Sequence, residues 1–253
     1  MRVTFLGTGT SQGVPVIACH CAVCASSDVK NNRLRTSVMI EYKDKVIVID
    51  SGPDFRYQML RENVQQLDAI LFTHEHKDHV AGLDDVRAFN FKHDREIDIY
   101  AEDRVQRALK NEFSYIFSGI QYPGIPRVVM HEIENEEFNM QGVDILPIRA
   151  MHFKLPVYGF RIGDFTYITD AKTISEEELE KIKGSKVLVL NALRREEHIS
   201  HFTLKEAIAL AQKLEVPQTY FTHISHQLGL HEEVSEELPK GISLAYDRLS
   251  IEI

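Results

Sequence analysis

Three histidines and one aspartate fall within six residues in Thr73-His74-Glu75-His76-Lys77-Asp78-His79. Imidazole and carboxylate together suit divalent zinc, manganese or iron. Ions held this way polarise a substrate oxygen and lower the pKa of water, so the chemistry implied is metal-assisted hydrolysis. The cluster follows the apolar run Ala69–Phe72 and precedes a helical stretch, which places it where a strand ends and a helix begins. In extended backbone alternate side chains project to one side, so His74, His76 and Asp78 converge. His79 faces elsewhere unless the chain turns into a helix, and Val80-Ala81-Gly82-Leu83 permits that turn. A solvated loop accounts for a single histidine but not for so dense a set.

All three cysteines lie in Cys19-His20-Cys21-Ala22-Val23-Cys24. Their odd number, and the reducing compartment expected below, oppose a disulfide reading. Three thiolates on a loop at about residues 18–26 suit tetrahedral zinc that takes one further ligand. His20 lies inside the loop, but the neighbouring backbone makes its geometry awkward. His226, three residues beyond His223, is the preferred partner of Cys19, Cys21 and Cys24.

The elements that must carry these residues follow from periodicity and turn signals. Strands are expected at Val3–Leu6, Val38–Tyr42, Val46–Ile49, Ala69–Phe72, Ile97–Ala101, Ile145–Arg149, Gly159–Ile162, Phe165–Thr169, Val187–Leu190, Thr219–Thr222 and Leu249–Ile253. Helices are expected at Phe55–Asn63, at Lys77–Phe91 with an interruption at Gly82, and at Arg104–Phe113, Glu176–Lys183 and Thr203–Leu214. Gly119, Pro123, Gly124 and Pro126 make Ser118–Pro126 a loop. Hairpins that give way to alternating strands and helices, repeated in the second half, suit an α/β architecture of two mixed sheets flanked by helices. That is a four-layer αββα sandwich, read here as one domain over residues 1–253.

Composition narrows the classes. With 43% hydrophobic and 26% charged residues the chain is an ordinary globular protein. No stretch approaches the roughly 18 apolar residues of a membrane span, and the N-terminus reads as a first strand rather than a signal peptide. A cytoplasmic location is the expectation. Twenty-nine Lys and Arg against 38 Asp and Glu give a net charge of −9, which disfavours a long nucleic-acid partner. A small anionic substrate stays compatible, because bound metal reverses the local field. Nothing in the sequence opposes a homodimer.

His74-x-His76-x-Asp78-His79 resembles the signature of the metallo-β-lactamase superfamily, whose fold is the αββα sandwich. Asp50-Ser51-Gly52 resembles that family's Asp-x-Gly element, where Asp50 orders the site by hydrogen bonding. By the same resemblance His152, Asp170 and His223, each after an expected strand, are the later ligands. His74, His76 and His152 then hold one ion, Asp78, His79 and His223 the other, and Asp170 bridges them. The opening Phe5-Leu6-Gly7-Thr8-Gly9-Thr10-Ser11-Gln12-Gly13-Val14-Pro15, with the cysteine cluster and His223-Ile224-Ser225-His226, is similar to the PhnP-type phosphodiesterase branch. That branch implies a structural zinc on Cys19, Cys21, Cys24 and His226.

The resemblance implies hydrolysis of a small phosphate ester, of the cyclic kind, through a metal-bridged hydroxide, with zinc or manganese at the dinuclear site. Asp78 and His201 are the expected catalytic residues. His201 is the general acid, with His198 on the same loop as its rival, and His231 is a candidate pocket residue. Two other readings share parts of the pattern. A tRNA 3′-processing nuclease would carry the His motif but lacks the cysteine knuckle. A non-catalytic accessory protein of the PqqB type would share the opening and the cysteines, with an incomplete dinuclear set.

Overall fold

Period-two burial decides how the strands stack. The chain begins with β1 (Arg2–Gly7), β2 (Ser37–Tyr42) and β3 (Lys45–Ile49). In β3, Ile47 and Ile49 join one buried cluster and Val48 joins another on the opposite face. Then follow α1 (Phe55–Arg61), β4 (Ala69–Leu71), α2 (Lys77–Val80), α3 (Arg87–His93), β5 (Ile97–Ala101), α4 (Asp103–Glu112) and β6 (Val128–Glu132). The second half contains β7 (Phe138–Met140), β8 (Val143–His152), β9 (Leu155–Ile162), β10 (Phe165–Tyr167), β11 (Thr173–Ile174), α5 (Glu176–Glu180) and β12 (Val187–Asn191). It ends with α6 (Leu204–Leu214), β13 (Gln218–Thr222), α7 (His231–Glu236), β14 (Ile242–Leu244) and β15 (Ser250–Glu252). This computed structural model describes residues 1–119 and 122–253, so residues 120 and 121 of the expected Ser118–Pro126 loop lie outside the described residues.

Among the described residues one sheet runs β15-β1-β2-β3-β4-β5-β6 and the other β11-β8-β9-β10-β12-β13-β14, with β7 paired to β8. The inner faces meet in a core that includes Phe5, Ile40, Ile49, Leu71, Ile145, Phe160, Tyr167 and Val189. The outer face of the first sheet packs on α1, α3 and α4 through Phe55, Met59, Phe89, Val105 and Leu109. That of the second packs on α5, α6 and α7 through Leu179, Ala207, Ala211 and Val234. The result is the expected αββα sandwich. No helix among the described residues is long and apolar enough to cross a membrane.

β3, β4, β5 and β6 run parallel, as do β10, β12, β13 and β14. Ligand sites in α/β sheets gather at the carboxyl ends of such strands. Asp50, Asp170 and His223 stand just beyond β3, β10 and β13, each with a left-handed backbone, at φ of 64°, 57° and 54°. A left-handed residue reverses the chain abruptly at a strand end, and for non-glycine residues such strain concentrates at functional sites.

The expected helix over Lys77–Phe91 is instead α2, a 3₁₀ turn at Leu83–Val86, and α3. Gly82 marks the break because it backs onto the Asp50 loop, where its N–H donates to the Ser51 carbonyl at 2.8 Å. Gly52 reciprocates, since a Cβ there would land on the carbonyl oxygen of Asp78. The Asp-x-Gly element therefore serves a close backbone approach that sets α2 against β3. Gly52→Ala should destabilise the chain by about 1–3 kcal/mol, as overpacking does. Urea unfolding of the variant against the parent measures this, and an unchanged midpoint would contradict it.

Candidate metal centre

The chain leaves β4 at Leu71 and enters α2 at Lys77, so His74 and His76 sit on irregular backbone while Asp78 and His79 lie in the first turn of a helix. The early turn corrects the convergence of His74, His76 and Asp78 expected from extended backbone. His74 and His76 group with His152 at the end of β8, whereas Asp78 and His79 group with Asp170 and His223. Within each group the ligand atoms lie within 4.8 Å of one another.

Asp170 touches both groups. Its Oδ1 lies 3.5 Å from His79 Nε2 and 3.3 Å from His223 Nε2, while its Oδ2 lies 3.9 Å from His74 Nε2 and 4.0 Å from His201 Nε2. Asp78 Oδ2 is 3.1 Å from His79 Nε2 and 3.7 Å from His223 Nε2. Thr169 donates its hydroxyl to Asp170 Oδ1 at 2.7 Å. The next residue, Ala171, is clamped by Asn191, whose side chain accepts from its N–H at 2.8 Å and donates to its carbonyl at 3.0 Å.

Hydrogen bonds on the far side of three rings fix which nitrogen faces inward. His79 donates from Nδ1 to Asp50 Oδ2 at 2.6 Å. Thr73 donates its hydroxyl to the same oxygen at 2.8 Å and its N–H to Oδ1 at 2.9 Å. That hydroxyl in turn accepts from His74 Nδ1 at 2.9 Å. His152 Nδ1 donates to the Ser200 carbonyl at 2.9 Å. Asp50 thus hydrogen-bonds the His79 ring and Thr73 and lies outside the potential ligand groups. The roles of Thr73, Ser200 and Asn191 were not read from the sequence. Only Thr73 offered a signal, being next to His74.

The Nε2 atoms of His74, His79 and His223 are buried without hydrogen-bond partners among the described residues. Buried polar groups are normally satisfied, and three such nitrogens converging on two carboxylates form a donor set that suits a cation. The electrostatics agree. Burial opposes ionisation of Asp78 and Asp170, yet neighbouring His79 and His223 hold both well below the ordinary carboxylate range. Burial pushes His74 and His152 down, leaving the neutral imidazole that binds metal. Burial also opposes charge on His79, but Asp78, Asp170 and Asp50 outweigh it, so the pocket is built to hold positive charge.

The cysteines form a second cluster. His226 Nδ1 lies 3.3, 3.4 and 3.5 Å from the sulfurs of Cys19, Cys21 and Cys24. In tetrahedral zinc the nitrogen–sulfur edge is about 3.6 Å from ordinary bond lengths, so the set fits that ion. The Cys24 N–H, with help from His226, lowers Cys21 to about 6, which favours its thiolate. His20 is exposed and outside the cluster.

His201 is buried beside the His/Asp ligand groups, its ring centroid 4.5 Å from that of His152 and 4.8 Å from that of His223. It forms a third potential ligand group with His152 and Asp170. His198 turns into its own loop and accepts at Nδ1 from the Ser200 N–H at 3.3 Å. His231 lies outside these potential ligand groups. It is buried at the start of α7, and its Nδ1 lies 3.0 Å from Arg33 Nη2, so its ring is spent as an acceptor for a buried guanidinium rather than joining the metal-binding histidines.

The chain belongs to the metallo-β-lactamase superfamily. A family profile for the Beta-lactamase superfamily domain matches residues 45–224. Within that superfamily it is a metal-dependent hydrolase of the PhnP branch. A crystal structure of a diphosphatase from the PhnP family is 42% identical, with a TM-score of 0.93, covering 100% of this chain and 97% of the other. Zn(2+)-bound PqqB from Methylobacterium extorquens shares the fold at 18% identity, TM-score 0.82 and complete coverage of both chains. An octanoyltransferase of Porphyromonas gingivalis is 42% identical over 98% of this chain and 51% of its own length. A ribonuclease Z of Thermosynechococcus vestitus is 25% identical over 65% of this chain and 37% of its own. The chain therefore spans about half or less of the length of these two relatives.

Thr73→Val keeps the side chain's shape but removes the acceptor for His74 and a donor to Asp50. Zinc affinity on the His74 side should fall about 10–100-fold, as when other ligand-orienting partners are lost. Equilibrium dialysis against graded chelator measures the change, and unaltered affinity would rule out the tautomer-fixing role.

Proposed function

We propose that the chain hydrolyses a small phosphate ester, of the cyclic diester kind, at a dinuclear divalent-metal site. His74, His76 and His152 would hold one ion, Asp78, His79 and His223 the other, with Asp170 between them. Cys19, Cys21, Cys24 and His226 would hold a separate structural zinc. The placement of Asp170 carries the reading, because its two oxygens address the two ligand groups separately. Paired ions of this kind, zinc or manganese, supply charge neutralisation at phosphorus and lower the pKa of water.

The chain's own residues do the rest. Asp50 and Thr73 keep the ring nitrogens aimed inward. Asp78 and Asp170 stay ionised. His201 stands beside Asp170 as the candidate donor to the departing alkoxide. Burial holds it neutral in the free site, and a phosphate anion alongside would favour its protonated form.

The diphosphatase neighbour supports a second substrate within the same chemistry, a phosphoanhydride, whose bridging oxygen needs less proton assistance. The net charge of −9 weighs against long RNA, despite the ribonuclease Z relatives. The octanoyltransferase name belongs to a protein about twice as long, of which this chain spans 51%.

Asp78→Ala should lose one ion and nearly all turnover while remaining folded. Elemental analysis with steady-state kinetics tests this, and parental kcat with both ions bound would refute the ligand assignment.

His201→Ala should keep its full metal content. It should lose about 10²–10⁴-fold on an alkyl cyclic phosphate, the usual scale of general-acid catalysis. The defect should shrink on bis-p-nitrophenyl phosphate, whose leaving group is weakly basic. His198→Ala should show neither effect. Equal losses on both substrates would end the acid assignment, and loss of metal from His201→Ala would make it a ligand.

A further inference from the structure

Three of the buried or half-exposed histidines at the centre have a hydrogen bond that fixes the ring, and His223 has none. Both its nitrogens are buried without hydrogen-bond partners among the described residues. No hydrogen bond fixes its ring, which is aimed by a left-handed backbone at the end of β13 and by stacking on His201. Three residues later comes His226, held among the cysteine sulfurs.

The short segment between them is gripped at two levels. Where the chain leaves β1, upstream of the cysteines, Ile224 donates to the Thr8 carbonyl at 2.9 Å and accepts from the Thr10 N–H at 3.2 Å. In the knuckle loop, Cys19, Cys21 and Cys24 surround His226. On the other side Ser225 donates to the Leu193 carbonyl at 3.0 Å, and Gln227 accepts from Arg194 at 2.9 Å. Leu193 and Arg194 open the loop that carries His201. Whatever moves residues 224–227 therefore moves His223.

We infer that the Cys19–Cys21–Cys24–His226 cluster is a positioning device for His223, so that metal at the cysteines sets the affinity of the Asp78–His79–His223 ion site. The inference rests on the ligand assignment proposed above. It makes the four residues positioning residues for an ion they do not touch. The His74–His76–His152 side, anchored through Thr73 and Ser200, should be indifferent to the knuckle.

The test is zinc stoichiometry under graded chelator, with circular dichroism and size exclusion to confirm folding. The parent chain should hold three zinc ions. His226→Ala should lose its knuckle ion and bind the His223-side ion about 10–100-fold more weakly, with the His74-side ion unchanged. His226→Cys, which offers a fourth thiolate, should restore both. A His226→Ala chain that binds two ions at parental affinity would overturn the inference while leaving the ligand assignment intact. A parent chain without zinc at the cysteines would overturn the inference and leave the His/Asp ligand assignment standing. Should His226→Ala fail to fold, the folded parent can be treated with p-hydroxymercuribenzoate, with released zinc read by a chelating dye. Coupling requires that the dye then extract a second equivalent about 10–100-fold more readily than from untreated parent, and a second equivalent held at parental affinity overturns it.

Discussion

The carboxylate of Asp50 joins two strand ends that the sequence keeps 23 residues apart, measured to Thr73. It is fully buried, and an isolated carboxylate in that position would be costly. Thr73 and His79 satisfy it with three hydrogen bonds. Burial still raises its pKa, so its charge depends on those donors and on positive charge nearby. The direction of two imidazole rings, the approach of α2 and the small residues at Gly52 and Gly82 all follow from seating this one group.

Asp170 and His223 repeat part of that solution in the second sheet. Each occupies a left-handed turn directly after a parallel strand, where the backbone changes direction and the side chain is thrown across the strand ends. Asn191 and Thr169 stabilise the turn at Asp170. At His223 the supports are backbone bonds and the knuckle, and the contrast shows one strand-end geometry maintained by unlike means.

The local part of the site was legible in the sequence because four ligand types stand within six residues. His152, Asp170 and His223 were legible only through family likeness, since each is a lone residue after a strand. What escaped was non-local. The Ser200 carbonyl carries no sequence signature, and the fold brings it to His152 across 48 residues. The pairing of His231 with Arg33, across 198 residues, has no sequence signature either. Strand β6 was missed because no residue in it is fully buried, so its sequence shows no clean alternation. β7 and β14 are three residues each, too short to display a period. Continuously apolar strands such as β2 and β3 fell within a residue of expectation.

Each ligand group draws side chains from both sheets. His74 and His76 follow β4 of the first sheet, while His152 ends β8 of the second. Asp78 and His79 belong to the first, while Asp170 and His223 follow strands of the second. A cation seated in either group is therefore a rivet through the sandwich. An unfolded chain, with these residues scattered, has no comparable site. At 1,000 times its dissociation constant such an ion adds about 4 kcal/mol to stability by mass action. The folded lifetime of the chain then becomes a readout of free metal in its surroundings, and scarcity would expose it to proteolysis before it slowed any reaction.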